Sequence, residues 1–525
     1  MIFLKNIKKN FFIYFVFFFT LLGIYFSLLT GITHDDQYDL YVWQANQNII
    51  LNTIFNEEFD TSFLTGGSKY YGSGFHLLSF PIENLIQKIP FILNFDLETN
   101  ILLSKHASVF IFFIVSSFFV RKILKLITEN NLCSNIGSVF YLLYPYLLGH
   151  SFFNIKDIPF LSVWLICTYL IIKITKIFLE KNIIKKKHLF FLSFLTAYLL
   201  SIRISGILIF IQYLVFLIVS TQSSNIDIIK FIKKFKKEIL LSSIFFVFFF
   251  ILIQPNYWVN PFQFIDAIKF MSKHLQTVCT LTLGDCMKAQ DLPASYIFIW
   301  LFFKLPLIIL FGFILYPFVE KKFKQNSFFL ITIHSLIISS ASIVILLIIF
   351  EVNLYDEIRQ IMFLVPLLII ISLSLIFHFS KFFFKISITL FIIFFIFQNV
   401  SIYPYNYIWI NNFSHITKIN GVFELDYWGV GSRATAEQIY KDSKKIDNCV
   451  VSIRPNGIKP FVKGKQCILN LNNLHNKIQR PFYVSLTERS LRKGIPNNCD
   501  LIFSEKRKIN FSNEELVLAK LYKCK

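Results

Sequence analysis

Charge is what this sequence has least of. Asp, Glu, Lys and Arg make up 16% of its 525 residues, against about a quarter in a soluble globular chain, and 55% are hydrophobic. That balance excludes one large soluble core. Acids are scarcer than bases, 31 against 52, for a net charge of +21. In a soluble protein this would suggest nucleic acid, but no nucleic-acid motif is present. The lysines instead fall in short tracts between apolar runs, where retention in the cytoplasm explains them. The eight cysteines contain no CxxC pair, which argues against a zinc site. The glycines of 66–74 lack a phosphate-loop spacing and read as an ordinary loop. No small-x-small cleavage site follows the first apolar run, so it reads as an uncleaved anchor rather than a signal peptide.

What the chain does have is apolar runs of spanning length. They fall near 11–32, 101–120, 132–149, 158–178, 188–201, 204–220, 239–255, 296–318, 328–350, 359–379 and 383–400, which predicts about eleven transmembrane helices. With Lys5, Lys8 and Lys9 cytoplasmic, every second loop should be basic. The loops at Arg121/Lys122/Lys125, 173–187, 230–237, Lys321/Lys322/Lys324 and Lys381/Lys385 all are. The opposite loops hold Asp35, Asp36, Asp39, Glu57, Glu58 and Asp60, then Asp157, then Asp266, Asp285 and Asp291, then Glu351, Asp356 and Glu357. The expected protein is therefore mainly α and polytopic, with its N-terminus cytoplasmic.

The first external loop, 33–100, carries helical periodicity at 39–55 and 75–93. In the latter Leu78, Ile82, Leu85 and Ile89 share one face, and Ser79, Glu83, Gln87 and Lys88 the other, as in helices that lie in the membrane interface. After residue 400 the composition turns polar and mixed. A helix near 433–444 and strands near 449–453, 482–486, 500–506 and 515–522 predict a small α/β domain on the non-cytoplasmic side. Six cysteines, Cys279, Cys286, Cys449, Cys467, Cys499 and Cys524, fall on that side, and Cys133 and Cys167 in spans. An oxidising compartment predicts disulfides; hairpin geometry pairs Cys499 with Cys524, with Cys449–Cys467 as a second.

Four polar stretches lie at the external membrane face. His34-Asp35-Asp36 sits at the mouth of the first span, where adjacent carboxylates repel each other and are costly beside lipid. Solvated helix caps are the plain alternative. Lys156-Asp157 precedes the fourth span, where Asp157 can be a helix N-cap with Pro159 in the first turn. Arg203 sits in a tight external turn, against the charge bias, and suits a lipid-linked phosphate or a carboxylate. Tyr355-Asp356-Glu357-Ile358-Arg359-Gln360 opens the tenth span, and Arg359 has the same two options. Carboxylates with arginines fit a substrate having an acceptor hydroxyl and a phosphate leaving group. A transporter of lipid-linked glycans would instead place ionisable residues or broken helices in mid-membrane, at symmetry-related positions, and no internal repeat is visible.

These stretches resemble GT-C-fold glycosyltransferases, close to the family 39 protein mannosyltransferases and lipid A aminoarabinose transferases. The resemblance lies in an acidic pair after span one, interfacial helices in the first loop, an acid before span four and a terminal external domain. Similarity to a bacterial family 39-like subgroup is carried by Phe153-Asn154-Ile155-Lys156-Asp157-Ile158-Pro159-Phe160, by Tyr355 to Gln360, and by Tyr403-Pro404-Tyr405-Asn406-Tyr407 with Glu424-Leu425-Asp426-Tyr427-Trp428-Gly429. The resemblance implies a transmembrane glycosyltransferase domain at 1–400 and an extracytoplasmic α/β domain at 401–525, in a bacterial inner membrane. It implies a polyprenyl-phosphate-linked sugar donor, a lipid, glycan or protein acceptor, and no nucleic acid. Catalysis would rest on Asp35, Asp36 and Asp157, and substrate binding on His34, Lys156, Arg203, Asp356 and Arg359. The chain has Asp-Asp where many relatives have Asp-Glu; the resemblance favours the first acid, Asp35, as the base with Asp36 the close alternative, and Gln360 stands where histidine is expected. No cofactor is firmly implied, and a divalent metal is compatible with the acids.

Overall fold

A computed structural model describes all residues except 1, 56–65, 90–94, 259, 325, 417, 443–448, 463–466, 472–480, 493, 495–497 and 525, and the side chains of 2–10, 34 and 415. The expectations at 57, 58, 60, 90–93 and 443–444 lie outside the described residues.

Backbone in lipid must satisfy its own hydrogen bonds, so the apolar runs fold as helices. The first seven are α1 (Ile2–Leu28), α2 (His34–Ile54), α3 (Gly74–Gln87), α4 (Leu97–Thr128), α5 (Asn131–Leu143), α6 (Pro145–Ser151) and α7 (Asp157–Lys181). They stop and start on polar residues: Asp96 accepts from the Thr99 N–H at 3.0 Å, and Asn130 from Leu132 and Cys133. Glu129 and Asn182 close α4 and α7 in the left-handed region, at φ 52°. Then come α8 (Lys186–Ile202), α9 (Ile209–Ser223), α10 (Ile228–Lys234), α11 (Lys236–Ile253) and α12 (Gln263–Ser272). A hairpin of β1 (Cys279–Thr282) and β2 (Asp285–Lys288) follows, before α13 (Ser295–Lys304), α14 (Leu307–Ile314), α15 (Tyr316–Glu320), α16 (Phe328–Ile349), α17 (Val365–Phe379) and α18 (Lys381–Ile402).

Each of the eleven expected runs is helical, but eleven straight spans are not what forms. Among the described residues seven helices are long and apolar enough to cross, or nine if each of two bent pairs is one span. Pro145 starts α6 after a 63° bend from α5, and Pro306 lies between α13 and α14 at a 113° bend. Proline lacks the N–H that would continue the ladder, so the chain breaks there. The two remaining runs fall short for other reasons. Helix α8 has 17 residues, and the 18 of α11 include Lys236, Lys237 and Glu238.

Burial ranks the spans. The segment Arg359–Phe379 is 89% buried and Asp157–Lys181 72%, against 28% for Phe11–Leu28 and 22% for Lys381–Ile402. The two most enclosed spans thus begin at Arg359 and Asp157, two of the candidate site residues. Helix α3 is amphipathic as expected. Its polar side faces protein: Ser79 and Glu83 are buried, while Leu78 and Leu85 are exposed, Leu85 at 67%. Lys105 of α4 holds Glu83 at 2.8 Å, and His76 stacks on Trp43 of α2.

The C-terminal chain forms α19 (Ser432–Asp442), β3 (Val450–Ser452), β4 (Ile468–Asn470), β5 (Phe482–Thr487), α20 (Glu488–Leu491), β6 (Cys499–Arg507) and β7 (Leu516–Cys524). The strand order is β4-β3-β5-β7-β6, with β3 parallel to β4 and β5, and β7 antiparallel to β5 and β6. Strand β4, at Ile468–Asn470, went unread in the sequence. Cys499 and Cys524 are direct partners across β6 and β7 and form a disulfide, as do Cys449 with Cys467 and Cys279 with Cys286. Tyr405, Tyr407, Trp409, Leu516 and Leu518 join the apolar core of the spans, so the sheet rests directly on the helices.

Candidate functional site

The site begins with a helix start. Thr33 caps α2, and its N–H donates to Asp36 Oδ2 at 2.6 Å, one half of a capping box. The same Asp36 oxygen meets His106 Nε2 at 3.0 Å, and His106 Nδ1 meets Thr30 Oγ1 at 3.1 Å. Asp36 is therefore turned inward, its side chain 2% exposed. Asp35, one residue earlier, points the other way and keeps 29% exposure. The adjacent acids have separate neighbourhoods, which their spacing alone could not reveal.

Asp35 Oδ2 lies 2.8 Å from Arg359 Nη2. Arg359 also places Nε 2.9 Å from Asp157 Oδ2 and Nη1 3.2 Å from Asp356 Oδ2. The Trp428 ring covers its guanidinium at 4.0 Å. The other oxygen of Asp157 takes Arg203 Nη1, while Arg203 Nη2 donates to Gln360 Oε1. Burial, then the neighbouring Arg359, pulls Arg203 down to about 10, so it remains a cation at neutral pH. A guanidinium has five N–H donors. Three on Arg359 and two on Arg203 are engaged in these contacts.

Asp157 is not the N-cap the sequence suggested. It is the first residue of α7, and Asn154 does the capping work: its Oδ1 accepts from the Asp157 N–H at 2.9 Å, and its Nδ2 donates to Asp157 Oδ2 at 2.9 Å. Both Asp157 oxygens still meet an arginine, Oδ1 Arg203 alone and Oδ2 Arg359 together with Asn154. Lys156 binds Asp39 at 2.7 Å and lies 4.4 Å over the Tyr71 ring. Burial pushes the Asp39 carboxyl up to about 6; Lys156 opposes that shift, and Asp35 and Asp36 add to it. Lys156 itself is pulled down by burial but raised further by Asp39 and Asp35, so it stays protonated. His34 opens α2, and its side chain lies outside those described. The loop glycines Gly72 and Gly74 pack on the Ser201 backbone with no space for a Cβ, which accounts for them without a phosphate.

Asp35, Asp36, Asp39, Lys156 and Trp428 line a narrow crevice with Thr33 and Phe153 to Ile155, packed too closely to leave free space for a water molecule. Among the described residues no group of three His, Cys, Asp or Glu side chains is set to hold a metal ion. Each acid at the centre meets Arg, Lys or His instead, so these residues do not fit a divalent cation.

Sequence reading missed the residues arriving from beyond residue 420. Asp426 takes the N–H groups of Gly429, Val430 and Gly431 at 2.8, 3.0 and 2.9 Å, together with the Tyr407 hydroxyl. This folds the segment so that Trp428 lies over Arg359. Arg489 of α20 reaches Asp356 Oδ1 at 2.5 Å and Glu424 Oε1 at 2.9 Å. The stretch Glu424 to Gly429 was the one available signal, but nothing local tells where its side chains go.

No family model matches this chain, and no curated protein matches it. Among solved structures it is similar to ArnT from Cupriavidus metallidurans bound to undecaprenyl phosphate, at 9% identity over 98% of each chain with a TM-score of 0.48. The apo form of ArnT from the same organism gives 8% identity, the same coverage and the same TM-score.

Proposed function

We propose that this integral membrane protein is a glycosyltransferase of GT-C architecture. It moves a sugar from a polyprenyl-phosphate donor to an envelope lipid, glycan or protein on the non-cytoplasmic side. The observation that carries this reading is the single guanidinium of Arg359 shared by Asp35, Asp157 and Asp356, with Arg203 on the far oxygen of Asp157. A partly exposed carboxylate stands beside two cations at the head of the two most buried spans.

In this reading Asp35 accepts the proton of the acceptor hydroxyl as its oxygen bonds to the anomeric carbon. The bond from that carbon to the phosphate oxygen breaks, and its electron pair leaves with the polyprenyl phosphate. Arg359 and Arg203 receive the charge that develops on the phosphate. Asp157 holds the two arginines at a fixed separation, and Lys156, paired with Asp39, adds a further cation beside them. Residues 1–400 supply this chemistry, and 401–525 cover it from outside.

The test is transfer by purified protein in lipid nanodiscs, supplied with polyprenyl-phosphate sugars and extracted envelope acceptors. Lipid-linked sugar profiling in a deletion strain supplies the donor's identity. Release of polyprenyl phosphate coupled to acceptor glycosylation is the expected result. Movement of the lipid-linked sugar across proteoliposomes without any transfer would overturn the proposal in favour of a flippase.

A further inference from the structure

We infer that Arg489, from the C-terminal sheet domain, is a positioning residue for the donor-binding arginine: it fixes Asp356, and through Asp356 it fixes Arg359. The inference rests on the proposed role of Arg359 as a phosphate ligand.

Asp356 and Glu357 are consecutive non-glycine residues in the left-handed region, at φ 59° and 65°. L-residues adopt that backbone only where their surroundings hold it. The Tyr296 hydroxyl donates to the Glu357 carbonyl at 3.3 Å, and three further tethers act here. The Asp356 N–H donates to Thr280 Oγ1 of β1 at 2.8 Å, Glu357 meets Lys304 of α13 at 2.8 Å, and Arg489 grips the Asp356 side chain. Only the third comes from beyond residue 430.

The carboxylate of Asp356 is divided between two arginines. Oδ1 takes Arg489 Nη2, and Oδ2 takes Arg359 Nη1 at 3.2 Å. Arg489 is itself held by Glu424, which is fully buried and also accepts the Leu281 N–H at 2.8 Å. The fork of a guanidinium is needed to hold Glu424 and Asp356 together; an ammonium has no such planar geometry. Arg492 provides the contrast. It binds the other oxygen of Glu424 at 2.9 Å and Glu488 at 2.7 Å.

The experiment compares Arg489→Gln, Arg489→Lys, Asp356→Asn, the double Arg489→Gln/Asp356→Asn and Arg492→Gln in nanodiscs. Undecaprenyl phosphate is the binding probe, followed by native mass spectrometry, with donor KM and kcat measured alongside. Arg489→Gln is expected to weaken probe binding about tenfold and to raise donor KM in step, with kcat falling as well because Arg359 also takes the charge that develops on the phosphate. Arg489→Lys recovers only part of the loss. The double variant is no worse than the poorer single, because both act on one link. Arg492→Gln lowers the unfolding temperature but keeps the affinity. The inference is overturned if Arg489→Gln binds like Arg492→Gln, or if the double loss is the product of the two singles.

A wild-type protein that does not bind the probe refutes the proposed function instead. The link is then decided without substrate, by unfolding of Arg489→Gln, Arg359→Gln and their double. Non-additive unfolding upholds the Arg489–Arg359 connection, and additive unfolding overturns it.

Discussion

Arg359 Nη2 lies 2.8 Å from Asp35 Oδ2, although 324 residues separate them in the chain. Because Asp157 and Asp356 share the same guanidinium, its charge and its shape matter separately. Arg359→Gln would leave three acids without their common cation, and breaking a buried pair from one side costs about 3–5 kcal/mol. Arg359→Lys keeps the charge but cannot face three carboxylates at once. The lysine variant is expected to hold most of its unfolding temperature while losing roughly tenfold or more in donor affinity. Thermal unfolding and polyprenyl-phosphate binding on the same preparation check this. Unchanged affinity would remove Arg359 from the donor site.

Asp39 predicts a pH dependence of stability. Its folded pKa, about 6, lies above the ordinary 3.8 because burial penalises the carboxylate. Between those values the folded protein keeps a proton that the unfolded chain has released. The resulting stabilisation is complete below about pH 4 and disappears as pH rises to about 6. Asp39→Asn should flatten this part of the curve of unfolding temperature against pH, when measured in detergent. The same slope in both proteins would assign the proton elsewhere.

Lys105 and Glu83 test how α3 is held. They meet at 2.8 Å with side chains 1% and 3% exposed. Lys105→Met alone strands a buried carboxylate and should cost about 3–5 kcal/mol, whereas adding Glu83→Leu should restore much of the loss. Unfolding of the three proteins gives the comparison. A double variant as unstable as the single would mean that the pair itself, and not the stranded charge, holds the helix.

How far the sequence could be read follows from the range of each signal. Apolar runs and polar caps are local, so the helices were legible, and the bends at Pro145 and Pro306 had their cause in plain view. The loop charges singled out Asp35 and Asp157, Arg203 stood out against them and Arg359 opened a span, and the structure brings these four together. What failed was anything set by a distant partner. Asp36 is distinguished from Asp35 by His106, 70 residues away, and Asp356 meets Arg489 at a separation of 133. The cap option for Asp157 fails because Asn154, three residues earlier, accepts the Asp157 N–H itself.

Topology has its own test. The loop basic residues predict that the N-terminus and loop 173–187 are cytoplasmic, with 401–525 outside. Single cysteines introduced at 185–187 should resist a membrane-impermeant maleimide on intact cells, and one at exposed Phe511 should react. Labelling of 185–187 from outside would invert the orientation and put the candidate site on the wrong face for the proposed donor.

The two aspartates after the first span should part company on mutation. Asp35 is the exposed member, beside the cations proposed to take the phosphate, and Asp35→Asn removes a base without removing a buried contact apart from that with Arg359. Transfer is expected to fall by about two to four orders of magnitude with the protein still folded. Asp36 accepts from the Thr33 N–H and faces His106. Asp36→Asn weakens the cap and the contact to α4, so it should cost about 1–2 kcal/mol of stability and lower activity mainly through the fraction folded. Initial rates per folded molecule, corrected by size-exclusion and unfolding profiles, separate the two effects. If Asp35→Asn retains near-normal transfer while Asp36→Asn is folded and inactive, the base is Asp36. If both variants and the double transfer normally, the pair is only a helix start and the proton must leave by another route.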